Sequence, residues 1–504
     1  MVVAMAGEGI YNANLGTAGA SKSQIPADAL TLYGTGEGIN GDVTVEVIAT
    51  EDQIYRIKVV DHAETQNIGT RAIKQLPQKM YDGQTVKVDD VTGATVTSTA
   101  LKQAVSQALE SGGLDIYKFG GGAIVLNTIT NIVDTSSGVK VIHAADWESE
   151  YPEIYESYMK NSENSERVDY TEEYPMIKTL FEGYGFAKSY TSARGHTYTV
   201  NDVSETGRPH AMANCFSCKT PDFTAMTLNM GDEAYTQAFE DVLQEINDPI
   251  SCFNCHANTP GVLTVTHTYL VDAMGDDIEH VDAADLSCGQ CHVEYYMDPD
   301  SKAVTLPYSS LDTMTPDAIL EYYNNLTVDG EVYADFVHPR SGVRLVMVNH
   351  PEYETYLGEG SVHRGKFTCA DCHMGEVTSS DGTTYASHNL TSPLDNEELI
   401  ENTCSACHSN LKEEVKAIQE KAEKRTNEIG YELEDLTNRL ADAAEDGSLS
   451  NDDLEKARDA YRSAQFYWTF VFVENSEGAH NSRLTDECLD KAESYIKEVE
   501  SILG

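Results

Sequence analysis

The chain has 504 residues, enough for two or three domains with ordinary cores, and its 34 Lys and Arg stand against 83 Asp and Glu for a formal charge of −49. A surface this acidic repels nucleic acid and anionic lipid and favours cationic partners or a salty medium. Hydrophobic residues make up 40% of the chain, no run of 18 apolar residues predicts a transmembrane segment, and no phosphate-binding loop, hydrolase elbow or nucleic-acid motif occurs.

Residues 1–40 form an N-terminal segment whose opening, MVVAMAGEG, carries the small-residue pattern of a signal-peptide cleavage region. The character changes over 41–112. The stretch DVTVEVIATEDQIYRIKVVDH alternates as two strands should, and Thr97 to Leu109 places Ala, Leu and Val on one face of a helix. Between them lie HAETQNIG (62–69) and DDVTGATVTS (89–98). A glycine lets such a turn bring a hydroxyl outward, and a helix N-terminus behind it suits a phosphate; the same tetrapeptide alone is an ordinary strand-to-helix connection. Together the two segments resemble the FMN-binding domain of sodium-pumping quinone reductase subunits. The resemblance implies a small α+β domain that holds FMN through a phosphodiester on Thr95. Asp89, Thr92 and Gly93 are then recognition residues, and Glu64 and Thr65 lie near the flavin. Residues 113–145 read as a linker with some strand character.

Ten of the 11 cysteines fall into Cys-x-x-Cys pairs: Cys215/Cys218, Cys252/Cys255, Cys288/Cys291, Cys369/Cys372 and Cys404/Cys407. His256, His292, His373 and His408 follow four of the pairs, Lys219 follows the first, and Cys488 stands apart. Disulfides do not demand a histidine directly after the second cysteine, and adjacent Cys-His residues seldom close one zinc tetrahedron. Covalent c-type haem uses all three positions: two thioethers hold the porphyrin edge and the next residue reaches the iron. Lysine ligates only as the free amine, which burial near ferric iron promotes, so the haem at Cys215, Cys218 and Lys219 is the candidate catalytic one. A drifted motif holding a plain electron-transfer haem is the competing reading.

This order of motifs, with DWESEYPEIYESY (146–158), RGHTYTVNDVSET (194–206), CGQCHVEYY (288–296), NHPEYE (349–354) and ENSEGAHN (474–481), resembles the ammonia-forming pentahaem cytochrome c nitrite reductases from about residue 140 to the C-terminus. The resemblance implies five haems c. Above the lysine-bound one it implies a pocket of Arg208, Tyr295 and His350, in which Arg208 and His350 hold the anion while His350 and Tyr295 relay protons. His388, His196, His480 and His363 match the distal ligands of the second, third, fourth and fifth haems in chain order. The family also binds calcium, which assigns Glu294, Tyr295, Met347 and Asn349 to a cation. Met347-Val348-Asn349 departs from the family's Lys-x-Gln, so Arg340 or Arg344 is an alternative source of positive charge. His62, His143, His210, His267, His280 and His338 read as surface or packing residues.

Past His408, NLKEEVKAIQEKAEKRTNEIGYELEDLTNRLADAAED and NDDLEKARDAYRSAQFYWTFVFVEN have helical periodicity, and in the resembled family such helices form a homodimer interface. The expectation is a mostly α multihaem cytochrome domain over 146–504, with long C-terminal helices, behind a small α+β flavin module. It implies reduction of nitrite to ammonium outside the cytoplasmic membrane, in the periplasm or at the cell surface. Electrons come through FMN, from a quinol dehydrogenase or another cytochrome. Two other readings stay open: a purely electron-transferring cytochrome, or a reductase of hydroxylamine or sulfite.

Overall fold

The structure, a computed structural model, describes residues 16–20, 25–26, 29–38, 41–64, 69–88, 91, 94–114, 116–119, 133, 135, 138–209 and 211–504. Thr65, Asp89, Thr92, Gly93 and His210 lie outside these. The chain divides into two compact units: Met1–Asn127 with Gly365–Ser387 and Ser392–Leu411, and Thr128–Arg364 with His388–Thr391 and Lys412–Gly504.

The first unit is built on an antiparallel sheet of β1 (Thr17–Gly19), β2 (Leu30–Glu37), β3 (Asp42–Ala49) and β4 (Ile54–Asp61), in the order β1-β4-β3-β2. The two strands expected from alternation are β3 and β4, which bury Val43, Val45, Val47, Ile54, Ile57 and Val59 completely. β2 pairs with β3 over its whole length, from Leu30 opposite Ala49 to Glu37 opposite Asp42. Helix α1 (Gly69–Gly83) and helix α2 (Thr95–Ser111) supply the rest of the core, chiefly Ile73, Leu76, Met80, Leu101, Val105 and Leu109. Contact between α2 and β2 depends on two glycines: a Cβ on Gly34 or Gly36 would stand 2.0 Å from the carbonyl oxygen of Ala104 or Ala100. Leu114 and Phe119, from the stretch read as a linker, are buried in the same core, and Phe367 packs against it.

The second unit is mostly helical. Short helices and turns carry the first three cysteine pairs, and three long helices close the chain: α3 (Leu411–Asp446), α4 (Asn451–Phe472) and α5 (Ser482–Leu503). α3 buries Ala422, Thr426, Ile429, Leu433, Leu436, Leu440 and Ala443, a stripe at three- and four-residue spacing. α4 is buried almost all round from Ala460 to Val471, and its Trp468 donates to the Thr426 carbonyl at 2.8 Å and stacks on Phe472. The side chains of Ser450 and Asn481 accept backbone amides to cap α4 and α5. α5 buries Cys488 among Leu489, Ala492 and Ile496, and burial pushes that thiol up to about 12, as suits an inert core residue. Among the described residues no helix is long and apolar enough to cross a membrane.

Candidate active site

None of the 11 cysteines forms a disulfide. Cys252–His256 and Cys369–His373 are single helical turns, each started by a capping box: Ser251 with Asn254, and Thr368 with Asp371. One helical turn puts the two thiols, three residues apart, on one face. CFSCK is built differently. Phe216 is fully buried and stacked on Phe239 at 4.4 Å, Cys218 takes a left-handed φ of 56°, and the Lys219 carbonyl accepts the Thr199 hydroxyl at 2.7 Å. Thr220 then caps the next helix, Pro221–Met230. A buried non-glycine residue at positive φ is uncommon and marks a turn held by its surroundings.

Two of the expected haem-holding cysteines depart from the enclosed setting that the motif implies. Cys372 is only half-buried and Cys407 is exposed, whereas Cys218 is buried. The reasons are local. In the Cys369–His373 turn the inward place is taken by the capping residue Asp371, which is buried and leaves Cys372 toward the rim. The last motif is tighter, a 3-10 turn over Cys404–Ala406, and Cys407 lies past its end at φ −119°. The expectation that all five pairs sit in equally closed pockets is corrected at these two positions.

Two expected ligand pairs meet within the second unit. The His256 and His388 rings lie 6.3 Å apart between centroids, as do those of His292 and His196. Imidazoles that each place a nitrogen about 2 Å from one metal have ring centres about 6 Å apart, so both pairs fit a shared iron. His388 is fixed by its backbone, through Ser157 Oγ to its amide and Asn161 Nδ2 to its carbonyl. His256 Nδ1 faces the Val262 carbonyl at 3.1 Å. Glu352, by contrast, lies 3.7 Å from His292 Nδ1; burial opposes its ionisation, but the imidazole holds it down to about 2. His480 is similarly set, with Nδ1 2.8 Å from the buried carboxylate of Glu474. His363 lies in the second unit with His480, and His373 and His408 lie in the first.

Arg208, Tyr295 and His350 converge on the lysine motif. The Arg208 guanidinium lies 4.2 Å over the Phe186 ring, with Nε donating to Thr206 Oγ1 at 3.1 Å. Burial raises the Tyr295 phenol well above its ordinary value, the thiol of Cys218 adds to this, and the charge of Arg208 opposes it. Burial takes His350 down to about 4, and the charges of Lys219, His292 and Arg208 push the same way. Its Nδ1 is buried with no hydrogen-bond partner, and its backbone sits at φ 46° directly before Pro351. A neutral imidazole cannot attract an anion by charge, so the expected shared electrostatic role falls to Arg208, and His350 is left to hydrogen bonding and proton transfer.

Below the pocket, the fully buried Glu294 accepts the Tyr323 hydroxyl at 2.8 Å and the Asn349 amide at 2.5 Å. The Asn349 side-chain amide faces the carbonyls of Tyr295 (3.3 Å) and Met347 (3.0 Å). Rotating that amide would turn its oxygen to the same point, giving a carboxylate, two carbonyls and an amide oxygen, a donor set suited to calcium. Burial pushes Glu294 up strongly, Glu354 to about 8 and Asp335 to about 6. Neither arginine considered from sequence supplies the missing charge: Arg340 pairs with Glu182 and Asn438, and Arg344 with Glu331 and the Val332 carbonyl. A divalent cation fits this acidic cluster.

His267, read as a packing residue, is buried and stacked on Tyr269, and its donor atom lies within 4.8 Å of those of Cys218 and Cys291. Glu352, Glu354, Asp335 and Glu474 are functional-site residues that sequence reasoning misses. NHPEYE and ENSEGAHN contain three of them, but nothing in spacing marks a carboxylate as buried.

In the first unit, Thr95 is the first residue of α2, and the preceding Ala94 provides no side-chain cap, so the helix's first amides are open to an anion. Ser98 fixes the turn before it, accepting the Val91 amide at 3.0 Å and donating to the Ala94 carbonyl at 2.8 Å. Glu64 accepts the Thr97 hydroxyl through Oε2, while its Oε1 is buried without a partner. An orphaned carboxylate oxygen beside an uncapped helix start fits a flavin phosphate end with polar groups to satisfy.

Residues 143–503 match the cytochrome c552 family. The chain belongs to that family. Residues 38–110 match the FMN-binding domain family. The catalytic subunit of the cytochrome c nitrite reductase of Desulfovibrio desulfuricans ATCC 27774, described with two calcium sites, is 25% identical over 71% of this chain and 85% of its own, with a TM-score of 0.63. The outer cell wall cytochrome OcwA is 19% identical over 60% of this chain and 48% of its own (TM-score 0.32). An undecahaem cytochrome from the S-layer of Carboxydothermus ferrireducens is 18% identical over 61% and 41% (TM-score 0.34). This cytochrome c552 thus pairs a nitrite-reductase-like fold with an FMN-binding domain.

Proposed function

We propose that this cytochrome c552 is an exported, homodimeric, ammonia-forming nitrite reductase with five haems c, in which the flavin module passes electrons to the haems. The observation that supports it most is the meeting of Arg208, Tyr295 and His350 with Lys219 and Cys218. Haem bound at Cys215, Cys218 and Lys219 supplies an iron that delivers six electrons to the nitrite nitrogen. The chain's own residues do the rest. Arg208 binds the anion and stabilises negative charge on its oxygens, with Phe186 holding the guanidinium plane in place. Tyr295, kept protonated by burial, donates a hydrogen bond toward the oxygen being lost. His350, neutral at pH 7, passes protons through its ring nitrogens as the oxygens leave as water.

His256 with His388, and His292 with His196, would complete two six-coordinate haems that conduct and do not bind substrate. His480 and His363 would serve the fourth and fifth, whose outer thioethers would fall to Cys372 and Cys407, at the more open edge of their motifs. The thiols of Cys218 and Cys291 belong to thioethers in this reading, which leaves His267 as a packing neighbour of two haems. Glu294, the carbonyls of Tyr295 and Met347, and Asn349 would hold calcium, fixing the backbone that presents Tyr295 and His350. FMN would be held through Thr95, with Glu64 near it.

Denaturing mass spectrometry of the holoprotein tests this together with steady-state reduction of nitrite, hydroxylamine and sulfite by a reduced viologen. Five haems, one FMN and ammonium from nitrite as the fastest reaction support it. A protein ligand opposite Lys219, seen as exclusively low-spin haem with no turnover, would reduce the protein to a conductor. Faster turnover of sulfite would replace the substrate.

A further inference from the structure

We propose that the segment Gly365–Leu411, which carries the motifs of Cys369–His373 and Cys404–His408, is the port that receives electrons from the FMN-binding domain, and that Arg71 is the positioning residue holding the two together. This rests on the reading that the domain carries a flavin.

The segment belongs to the same compact unit as the front domain. Arg71 lies in the first turn of α1. Its Nη1 pairs with Glu376 Oε2 at 2.9 Å and its Nη2 donates to Thr403 Oγ1 at 3.3 Å. Glu376 stands three residues after His373, and Thr403 directly before Cys404, so one guanidinium holds a residue beside each of two haem motifs. Phe367, two residues before Cys369, packs on the apolar core of the front domain. The segment is tied internally as well: Glu376–Thr378 pairs with Thr384–Ala386, and Leu399 packs against Gly375.

The clasp is also close in structure to the expected flavin end. Gly69, two residues before Arg71, is so near Thr97 and Glu64 that a Cβ there would stand 2.6 Å from Thr97 Oγ1 and 2.7 Å from Glu64 Oε2. Thr97 is two residues past Thr95. The helix that carries Arg71 therefore begins against the groups that face the flavin site. Tunnelling rates fall steeply with distance, so acceptors in the donor's own unit have the advantage. The balance is simple: one fully reduced flavin gives up two electrons and two protons, each of the two ferric haems on 365–411 takes one electron, and the protons pass to solvent.

The test uses full-length holoprotein carrying Arg71→Glu and the charge-swapped pair Arg71→Glu with Glu376→Arg. Mass spectrometry first counts FMN and haem. Anaerobic flash reduction of the flavin then follows its reoxidation by haem, and hydrogen–deuterium exchange reports on 365–411. Arg71→Glu should slow flavin reoxidation by at least about tenfold by turning a salt link into a like-charge contact, with faster exchange in 365–411. The swap should restore both, and viologen-driven nitrite reduction should be unchanged in all forms. Loosened exchange with an unchanged reoxidation rate would overturn the port while leaving the flavin reading intact. Absence of FMN from the wild-type holoprotein would overturn the reading itself, and the proposal with it.

Discussion

At the scale of single residues, the positive pocket has to work inside a molecule of charge −49, and it does so by burial more than by number of cations. His350 loses its proton to desolvation, which leaves Arg208 to carry the anion alone. Arg208→Ala should therefore lower kcat/KM for nitrite by about 10²–10³, the usual loss for removing a group aimed at developing negative charge, with haem content unchanged by mass spectrometry. Arg208→Lys keeps the charge but forfeits the planar stack on Phe186 and should fall between the two. The residues of this pocket are legible because each sits in a motif with its own local pattern: RGHTY, CHVEYY, NHPEYE. Glu352, Glu354 and Asp335 are not, because a carboxylate in sequence reads as surface until tertiary packing buries it. His267 escapes notice for the same reason. The cysteine pairs read alike in sequence, yet Cys372 and Cys407 end up more open than Cys218, because a spacing of three fixes which thiols are partners and says nothing of how deep the turn lies.

At the scale of elements, legibility follows periodicity. The long helices α3 and α4 and the strands β3 and β4 declare themselves by spacing. β2, LTLYGTGE, reads as a loop because two glycines interrupt it, yet those glycines are what let α2 lie on the sheet. α1 is disguised by Pro77 in its interior, a residue that ordinarily ends a helix. Gly36→Ala should cost about 1–3 kcal/mol by pressing a methyl into the Ala100 carbonyl, measured as a lower melting temperature of the front domain and as weakened flavin retention.

At the scale of the whole molecule, the acidic cluster under the pocket links ion binding to pH. Burial lifts Glu354 to about 8 and Asp335 to about 6, so without a cation the folded chain keeps protons that the unfolded chain releases above about pH 4–5. Stability then falls as pH rises from there toward 8. Calcium reverses the sign by favouring the ionised forms. Chelation should lower the melting temperature more at pH 8 than at pH 5, and calcium at about 100 times its Kd should restore about 2.7 kcal/mol at the higher pH. An unchanged melting temperature at both would remove the ion from the site.

The placement of Gly365–Leu411 is not readable from the chain, since nothing in CADCH or CSACH says which unit will hold it. Its consequence reaches into biosynthesis. Arg71 and Glu376 are 305 positions apart, so the front sheet is translated long before its last neighbour leaves the ribosome. A loop of that length closes slowly, and the final seating of the module waits on it. Assembly thus runs outside in, with the earliest-made part the last to be locked.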